Sequence, residues 1–420
     1  MKKTVISAGA FLLGLMSLAS CGKASGTSIV VWAPAEEEAV LTTIVDNYNK
    51  TAAADDKINV TFKAVSEADG GSTLATDPTV KGYPSLVAIA DDQLSNLVQK
   101  NYITKLPASF AKTISEKNAA TAVTAAKYGN DTYGFPITAD NGYFLWYNGD
   151  ALTAEQAGSL ESILSVAEAG KKTFLMDVGN GWYVPSFFFA EGVCGTESLK
   201  WKMSANNKPI YDITWDGAEG VAAAKYINGL LQPRYLNKTL VVGSNDKIKE
   251  GFTSGEMIAA VSGTWMEADL KPVCNNLKAV KLPTFTITGT KHQMGSFTGT
   301  KLYVVNKYAS VAEQKAAIIL GDLLTNKESQ LVRFEKRQAL PCNLEAQKDS
   351  RYTANVTLGG KALTEQAQYA AIQSTSAEGR WWDRGAEIGN ALLDGKLPET
   401  ANTWELFLKA ECDLLRAEAK

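Results

Sequence analysis

Apolar residues are arranged along the chain in two patterns, short continuous runs and helical repeats. Runs of four or five apolar residues at 29–32, 86–90 and 302–305 are typical of strands buried on both faces. Apolar residues at helical spacing follow two of these runs, over 36–50 and 311–326. The succession of strand and helix predicts an α/β protein with a mainly parallel sheet. The same patterns predict further strands at 59–65, 132–138, 143–147, 174–176, 240–242, 257–261 and 280–283, and further helices at 159–169, 182–190, 217–232, 363–373, 380–393 and 404–419.

The length of the chain indicates two structural units. A chain of 420 residues is too long for one ordinary hydrophobic core and suits two domains. No Pro-rich or Ser-rich linker separates them, but two short polar segments, 138–142 and 296–301, are suitable crossing points. We therefore predict two α/β lobes between which the chain passes more than once. The predicted first lobe comprises 29–138 with 301–345, and the predicted second lobe comprises 139–300 with 346–420.

The N-terminus has the features of a secretory leader. Lys2 and Lys3 precede an apolar run that is too short to span a bilayer comfortably. The run ends in Leu18-Ala19-Ser20-Cys21, which resembles the lipobox of bacterial lipoproteins. The resemblance implies a signal peptide over 1–20, lipidation of Cys21 and a short tether over 21–28, with the protein held on the outer face of the bacterial cell membrane. An ordinary secretory signal with a coincidental cysteine is the alternative.

Composition excludes several classes of protein. Hydrophobic residues make up 45% of the chain and charged residues 21%, which is the profile of a soluble globular protein. The net charge of -3 and the lack of a basic stripe argue against nucleic-acid binding. With His292 as its single histidine, the chain cannot form a histidine-rich metal site. We expect no metal, no cofactor and no catalytic residue.

Motifs for common chemistries are missing from the sequence. It has no phosphate loop, no nucleophile elbow, no HExxH zinc motif and no EF-hand loop. A pair of glycosidase carboxylates has no sequence signature, because their separation is a three-dimensional quantity. Four cysteines follow Cys21 without CxxC spacing, so they form either disulfides or buried thiols. These four are Cys194, Cys274, Cys342 and Cys412.

Several short motifs occur in the order found in one family. The motifs are Val31-Trp32 with Glu36, 81–87 (KGYPSLV), 128–137 (YGNDTYGFPI), 147–152 (YNGDAL), 252–259 (FTSGEMIA) and 263–265 (GTW). With these motifs in this order, the chain resembles the extracellular solute-binding proteins of ABC importers, of the maltose-binding-protein type. Ser85 departs from the pattern, because the family usually has an aspartate at that place in the turn.

The resemblance implies a two-lobed fold of type II with the ligand in the cleft between the lobes, which closes by hinge bending. It implies a lipid-anchored receptor, expected to be monomeric, that delivers a carbohydrate to the permease subunits of an ABC transporter and performs no chemistry. Two alternatives remain open from the residues. One is a receptor of the same fold for another solute, such as a polyamine, and the other is a secreted glycoside-processing enzyme.

The resemblance also implies which residues contact the ligand. Aromatic rings cover the apolar faces of a sugar, and carboxylates or amides bind its hydroxyl groups. Two of the acidic residues have local alternatives, since Asp92 could cap a helix and Asp140 could belong to a turn. Neighbours on a helix point about 100° apart, so at least one of Trp381 and Trp382 is expected to face the cleft. The predicted ligand-binding residues are Glu36, Asp92, Asp140, Asn141, Trp182, Tyr183, Trp265, Trp381 and Trp382.

Overall fold

The structure is a computed structural model that describes residues 26–206 and 208–418. The predicted leader and the predicted lipidation site at Cys21 lie outside the described residues. The strands are β1 (Thr27–Ala33), β2 (Ile58–Ala64), β3 (Leu86–Ala90), β4 (Lys127–Tyr128), β5 (Asp131–Thr132), β6 (Gly134–Gly142), β7 (Phe144–Asn148), β8 (Thr173–Leu175), β9 (Leu199–Met203), β10 (Pro209–Ile213), β11 (Leu240–Val241), β12 (Met257–Ser262), β13 (Leu277–Val280), β14 (Thr284–Ile287), β15 (Thr290–Gln293), β16 (Ser296–Val305) and β17 (Ala370–Ile372).

Helices connect most of these strands. The α-helices are α1 (Glu38–Thr51), α2 (Glu67–Thr76), α3 (Leu94–Gln99), α4 (Ala108–Lys117), α5 (Ala120–Ala125), α6 (Ala154–Ala157), α7 (Leu160–Ala169), α8 (Pro185–Phe188), α9 (Ala218–Leu236), α10 (Asn245–Ser254), α11 (Glu267–Leu270), α12 (Val311–Thr325), α13 (Lys327–Arg337), α14 (Ser350–Thr353), α15 (Leu358–Gln366), α16 (Gln373–Ser376), α17 (Trp381–Asp394) and α18 (Trp404–Arg416). Short 3-10 helices span Ala35–Glu37, Ala54–Asp56, Asp91–Gln93, Thr264–Met266, Ala346–Lys348, Ala367–Tyr369 and Glu399–Ala401.

The first sheet has the order β2-β1-β3-β16, and β6 and β17 also pair with β16. Strand β1 is parallel to both of its neighbours, with Val31 opposite Leu86 on β3. The apolar run of β3 is buried on both faces, as its composition predicts. Helices α1 and α12 pack together and against this sheet, and α2 packs against β3. These elements enclose the hydrophobic core of the first lobe.

The second sheet has the order β11-β8-β12-β7-β13. Successive side chains of a strand point to opposite faces, and β7 shows the consequence directly. Tyr143, Leu145 and Tyr147 belong to a large core on one face, whereas Phe144 and Trp146 belong to a smaller core on the other. Both faces of this sheet are therefore covered by apolar side chains. The sheet and its two cores form the second lobe.

Two strands continue from one lobe into the other, and we call β6 and β16 the crossing strands. On β6, Ile137 lies in the core of the first lobe, and Tyr143 just beyond the strand lies in the core of the second. On β16, Phe297 lies in the second core and Leu302 in the first. The two strands pair antiparallel from Thr298 to Val304, with irregular register on either side of Lys301.

A third connection runs beside the crossing strands after α13. The backbone of Leu340 accepts a hydrogen bond from Ala139 on β6 at 2.9 Å. The side chain of Leu340 packs in the smaller core of the second lobe, whereas Leu324 on α12 packs in the first. The chain thus contacts the second lobe again at Leu340. The exact boundaries that we predict for the two lobes stay a prediction.

Three predicted elements differ from the structure. The helix predicted over 363–373 ends at Gln366 as α15, and Ala370–Ile372 form strand β17 instead, because they pair with β16. The helix predicted over 182–190 is reduced to α8, because turns lead into it and the side chain of Asn180 accepts a hydrogen bond from the backbone of Trp182. The strand predicted over 280–283 lies earlier in the chain, as β13. There, Leu282 donates its backbone N–H to the side chain of Gln366, and Pro283 has no N–H to donate to a ladder.

The alternative left open for the cysteines is resolved. All four cysteines after Cys21 are free thiols, and three of them are buried. Burial raises the pKa of Cys342 to about 12, and it raises that of Cys412 to a similar value. Thiols in such surroundings are packing groups with little reactivity.

A buried ion pair joins the start of α1 to α13. Arg333 donates to both carboxylate oxygens of Glu37, at 2.8 and 3.0 Å, and both side chains are 1% exposed. Tyr303 on β16 donates to the same carboxylate at 3.2 Å, and Arg337 adds a further bond. Burial opposes the ionisation of Glu37, but the attraction of the two arginines outweighs it and lowers its pKa from 4.5 to about 2.

Removing one partner of this pair should destabilise the fold. Arg333→Ala leaves the buried Glu37 carboxylate without its bidentate partner, so we expect the free energy of unfolding to fall by about 3–5 kcal/mol in urea titrations at neutral pH. The difference from wild type should shrink as the pH falls from about 4.5 toward 2, because the unfolded chain takes up a proton at Glu37 near pH 4.5, whereas the folded wild type takes it up only near pH 2. The matched control is Lys202→Ala, which breaks the exposed pair with Asp212 and should cost less than about 1 kcal/mol. Equal losses in the two variants would contradict the prediction.

Candidate ligand-binding site

Two predicted acidic residues lie at the same edge of the first sheet. Glu36 is in the 3-10 helix that directly follows β1, and Asp92 is in the 3-10 helix that directly follows β3. Because β1 and β3 are adjacent and parallel, both strands end at one edge of the sheet. Asp92 makes no side-chain capping bond to its helix, so the alternative role as a helix cap has no support in the structure.

The charged groups at this edge are largely paired. Arg337 donates to Glu36 at 3.2 Å and also contacts the buried Glu37. Lys301 on β16 lies 3.5 Å from the carboxylate of Glu67, and both side chains are largely buried. Burial alone would lower the pKa of Lys301, but Glu67 and Asp140 raise it. The wall that the first lobe contributes is therefore polar and nearly balanced in charge.

Asp140 and Asn141 follow each other on β6 and have different surroundings. Asp140 is buried and accepts a hydrogen bond from the hydroxyl of Thr138 at 2.5 Å. Asn141 donates to the side chain of Gln373 at 2.9 Å. Both residues lie within a strand, which excludes the alternative that Asp140 belongs to a turn.

In the second lobe, Trp265 lies on the 3-10 helix that directly follows β12. Its ring covers Gly263, where an added Cβ would lie 2.0 Å from a ring carbon, so the preceding glycine is required for this position of the indole. The indole Nε1 donates to Asn245 at 3.3 Å. The side chain is 37% exposed, which is unusual for a tryptophan and leaves much of the indole open to a ligand.

A second aromatic group lies beside the crossing strand β16. Trp182 stacks on Phe297 with ring centroids 5.2 Å apart, and Trp382 is 6.4 Å from Trp182. Tyr183 is hydrogen-bonded to Ser262 at the end of β12, and burial together with the charge of Asp177 raises its pKa. Trp182, Tyr183 and Trp382 are each half-buried, with surface left over for further contacts.

A cavity of about 370 Å³ lies between the two lobes. It falls in the range of small-molecule sites. The first lobe contributes Glu36 and Arg337, the second lobe contributes Trp265, and Asp140 lies on the crossing strand between them. The remaining lining residues are Thr264, Ala268, Lys301, Lys336, Gln338 and Ala339.

The structure thus brings three of the predicted residues to one cavity, namely Glu36, Asp140 and Trp265. The prediction that Trp381 contacts the ligand is corrected, because its side chain lies in the core and not in the cleft. Trp381 is 0% exposed, donates to the backbone of Gly181 at 2.9 Å and packs edge-on against Trp215 in the core. Of the adjacent pair, Trp382 alone retains exposed surface, in agreement with the angular separation of neighbours on a helix.

Lys301 and Arg337 line the cavity and are missing from the sequence-based set. Lys301 is the last residue of the polar segment 296–301, which the sequence predicts as a crossing point between the lobes. Its place beside the predicted cleft is the signal that could have identified Lys301 as a site residue. Arg337 ends α13, and no motif marks it. Within 26–206 and 208–418 the structure contains no group of three or more acidic, cysteine or histidine side chains placed to hold a metal ion. No helix of that part is long and apolar enough to cross a membrane.

The fold and the cavity define a two-lobed binding protein, and comparisons with known proteins agree. Residues 43–360 match the family of bacterial extracellular solute-binding proteins. The match covers more than half of the chain, and the chain belongs to this family. The maltodextrin-binding protein MdxE of Bacillus subtilis is 24% identical over 285 residues, which is 66% of this chain and 64% of MdxE. The aligned part is therefore slightly less than two thirds of that relative.

Solved structures confirm the predicted fold class. The maltodextrin-binding protein MalE1 of L. casei BL23, solved without ligand, superposes with a TM-score of 0.75 at 22% identity, covering 93% of this chain and 99% of that one. MalX of Streptococcus pneumoniae in complex with maltopentaose superposes with a TM-score of 0.72 at 18% identity, covering 92% and 99%. The chain has the two-lobed α/β fold of these binding proteins.

Proposed function

We propose that this protein is an extracytoplasmic receptor that binds a carbohydrate between its two lobes and delivers it to the permease of an ABC transporter. The observation that carries the proposal is the inter-lobe cavity. It is lined by the exposed indole of Trp265 from the second lobe and by polar side chains such as Glu36 and Arg337 from the first. An indole and a set of hydrogen-bonding groups on opposite walls suit a sugar, which has apolar faces and a rim of hydroxyl groups.

The charge distribution favours a neutral ligand over a polyamine. A polyamine needs a site with an excess of carboxylates. The cavity has two acidic residues, Glu36 and Asp140, and three basic residues, Lys301, Lys336 and Arg337, and Glu36 is bonded to Arg337. Such paired carboxylates still have lone pairs that accept hydrogen bonds from hydroxyl groups. The names of MdxE and MalE1, which describe maltodextrin binding, and the maltopentaose bound to MalX point in the same direction.

The proposed site extends beyond the cavity to the aromatic cluster. We assign Trp182, Tyr183 and Trp382 to ligand contacts, because each is half-buried and has surface left for stacking. Asp92 and Asn141 stay in the proposed set as polar groups at the ends of β3 and β6. Trp381 is omitted because its indole is enclosed in the core. We assign no catalytic residue, and the protein is proposed to bind its ligand without chemical change.

A ligand panel tests the proposal. We expect maltotriose or maltopentaose to raise the melting temperature, because a ligand at a hundredfold excess over its Kd stabilises the folded state by about 2.7 kcal/mol. Thermal shift and calorimetry with spermidine as the competing probe decide the solute class. Stabilisation by spermidine alone would support a polyamine receptor, and cleavage of maltopentaose on prolonged incubation would support an enzyme. Either result would contradict the proposal.

Truncating the proposed stacking residues should weaken binding without unfolding the protein. Trp265→Ala and Trp382→Ala are each expected to reduce the binding free energy by about 2 kcal/mol, as loss of an aromatic anchor does. Titration calorimetry with the sugar found in the panel provides the measurement. Tyr308→Ala removes a ring that is 51% exposed beyond the far end of β16 and serves as the matched control, with no change expected. Unchanged affinity in both tryptophan variants would place the site elsewhere.

The lipid anchor belongs to the same proposal and rests on the sequence. Cys21→Ala should prevent lipidation and release the protein from the membrane fraction, or block its maturation. Cys194→Ala is the matched control, since it removes a free thiol of the folded part and should leave fractionation unchanged. Fractionation and immunoblotting of cells that express each variant provide the measurement. If Cys21→Ala is processed and retained like the wild type, the protein is not a lipoprotein.

A further inference from the structure

The 3-10 helix that follows β3 contacts the second lobe through a polar residue, Asp91. Asp91 follows β3, whose Ile89 belongs to the first core, and its 3-10 helix packs against α16. Helix α16 follows β17, whose Ala371 belongs to the second core, and Trp201 donates to its Ser374 backbone at 2.8 Å. The contact between Asp91 and α16 therefore joins the two lobes.

Three polar side chains meet at Gly299 on the crossing strand β16. A Cβ added to Gly299 would lie 2.9 Å from Gln373 Oε1, 3.0 Å from Asn141 Nδ2 and 3.0 Å from Asp91 Oδ1. These side chains come from three different elements, namely α16, β6 and the end of β3. The absence of a side chain at position 299 is what allows them to converge.

The irregular register of β16 brings a backbone amide of that strand to Asp91, in addition to the local amides of Asp91 and Asp92. The pairing with β6 shifts between Gly299 and Lys301, and Thr300 donates its backbone N–H to Asp91 Oδ2 at 3.2 Å. The other carboxyl oxygen, Oδ1, is buried without a hydrogen-bond partner, and the residue is 1% exposed. A carboxylate with one unsatisfied oxygen in this position is costly, whereas a neutral carboxylic acid is much less so.

Among the residues that the structure describes, no cationic side chain forms an ion pair with Asp91. Its neighbour Asp92 carries the same sign, and the groups that face it from β16, β6 and α16 are the Thr300 amide, Asn141 and Gln373, which are uncharged. The nearest basic residue along β16, Lys301, lies against Glu67 and is drawn to Asp140. Burial first, and then the charge of Asp92, raise the pKa of Asp91 well above its usual range.

We propose that Asp91 is a proton-linked latch that holds the two lobes closed when it is neutral and favours their separation when it is ionised. In the proposed open form α16 lies away from Asp91 and water reaches the carboxylate, which removes the cost of the charge. The closed form therefore binds the proton more tightly than the open form, so a fall in pH favours closure and a rise in pH favours opening. The latch does not depend on the identity of the ligand.

The test uses the ligand-free protein, so it stands even if the proposed ligand class is wrong. Hydrogen exchange at the Thr300 amide, corrected for the intrinsic exchange rate, reports opening because this amide is bonded to Asp91. Between pH 5 and pH 8 we expect its protection to fall by up to tenfold per pH unit, the limit for one linked proton. The radius of gyration from solution scattering should increase over the same range.

Substitutions assign the effect to one carboxyl group. Asp91→Asn keeps the shape and an acceptor for Thr300 but cannot ionise, so the pH dependence of protection and of the radius of gyration should disappear. Asp92→Asn is the matched control and should retain most of the dependence, although burial raises the pKa of Asp92 to about 6. Gly299→Ala should favour the open form at every pH, because its methyl group separates the three polar side chains.

Several results would overturn the proposal. A wild-type protein whose Thr300 protection does not change with pH would exclude a proton-linked latch. The same pH dependence in Asp91→Asn as in wild type would show that another group titrates. Loss of the pH dependence in Asp92→Asn but not in Asp91→Asn would show that Asp92, and not Asp91, is the titrating group. Circular dichroism and the melting temperature of each variant establish that it is folded before the comparison.

Discussion

The antiparallel pairing of β6 with β16 is the interaction on which the rest of the structure depends. Strand β16 contributes side chains to both cores, and β6 leads from the first core directly to Tyr143 in the second, so the hydrogen bonds between the strands fix how one lobe lies relative to the other. The irregular register around Lys301 interrupts this pairing at the junction of the lobes, and Gly299 lies there without a side chain. A regular ladder would resist bending, whereas an interrupted ladder next to a glycine can bend at that point. The cavity lies beside this junction, and its shape must change when the strands bend.

Three of the proposed ligand-binding residues have the same local setting, a strand followed closely by a short 3-10 helix. Strand β1 leads to Glu36, β3 leads to Asp92 and β12 leads to Trp265, each within a 3-10 helix that starts one or two residues after the strand. The tight turn places these side chains at the sheet edge before the chain continues into an α-helix. The ion pair between Glu37 and Arg333 then holds the first of these turns against α13. Rigid sheets thus position residues that themselves lie in irregular backbone.

The sequence predicts best what depends on local patterns and least what depends on distant packing. The buried run of β3 and the two polar crossing segments follow from hydrophobicity alone, and the order of motifs leads to the two-lobed fold. The position of Trp381 could not be derived, because the choice between the core and the cleft for two adjacent tryptophans depends on which of them meets Trp215, far away in the chain. Arg337 and Asp91 carry no motif. Their roles arise from partners such as Glu37 and Gly299, which only the folded chain brings near.

The charges around the cavity bear on the proposed coupling between closure and ligand binding. In the first lobe, Glu36 and Glu67 have cationic partners, so closing the lobes over them does not bury an isolated charge. Asp91 differs from them, since the side chain nearest to it from α16 is the uncharged Gln373. A ligand that contacts both Trp265 and the first lobe favours the closed form only by its difference in affinity between the two forms. The free-energy cost of burying an ionised Asp91 in the proposed closed form is subtracted from that difference. The proposal therefore implies that the affinity for the ligand depends on a residue that is too deeply buried to contact the ligand.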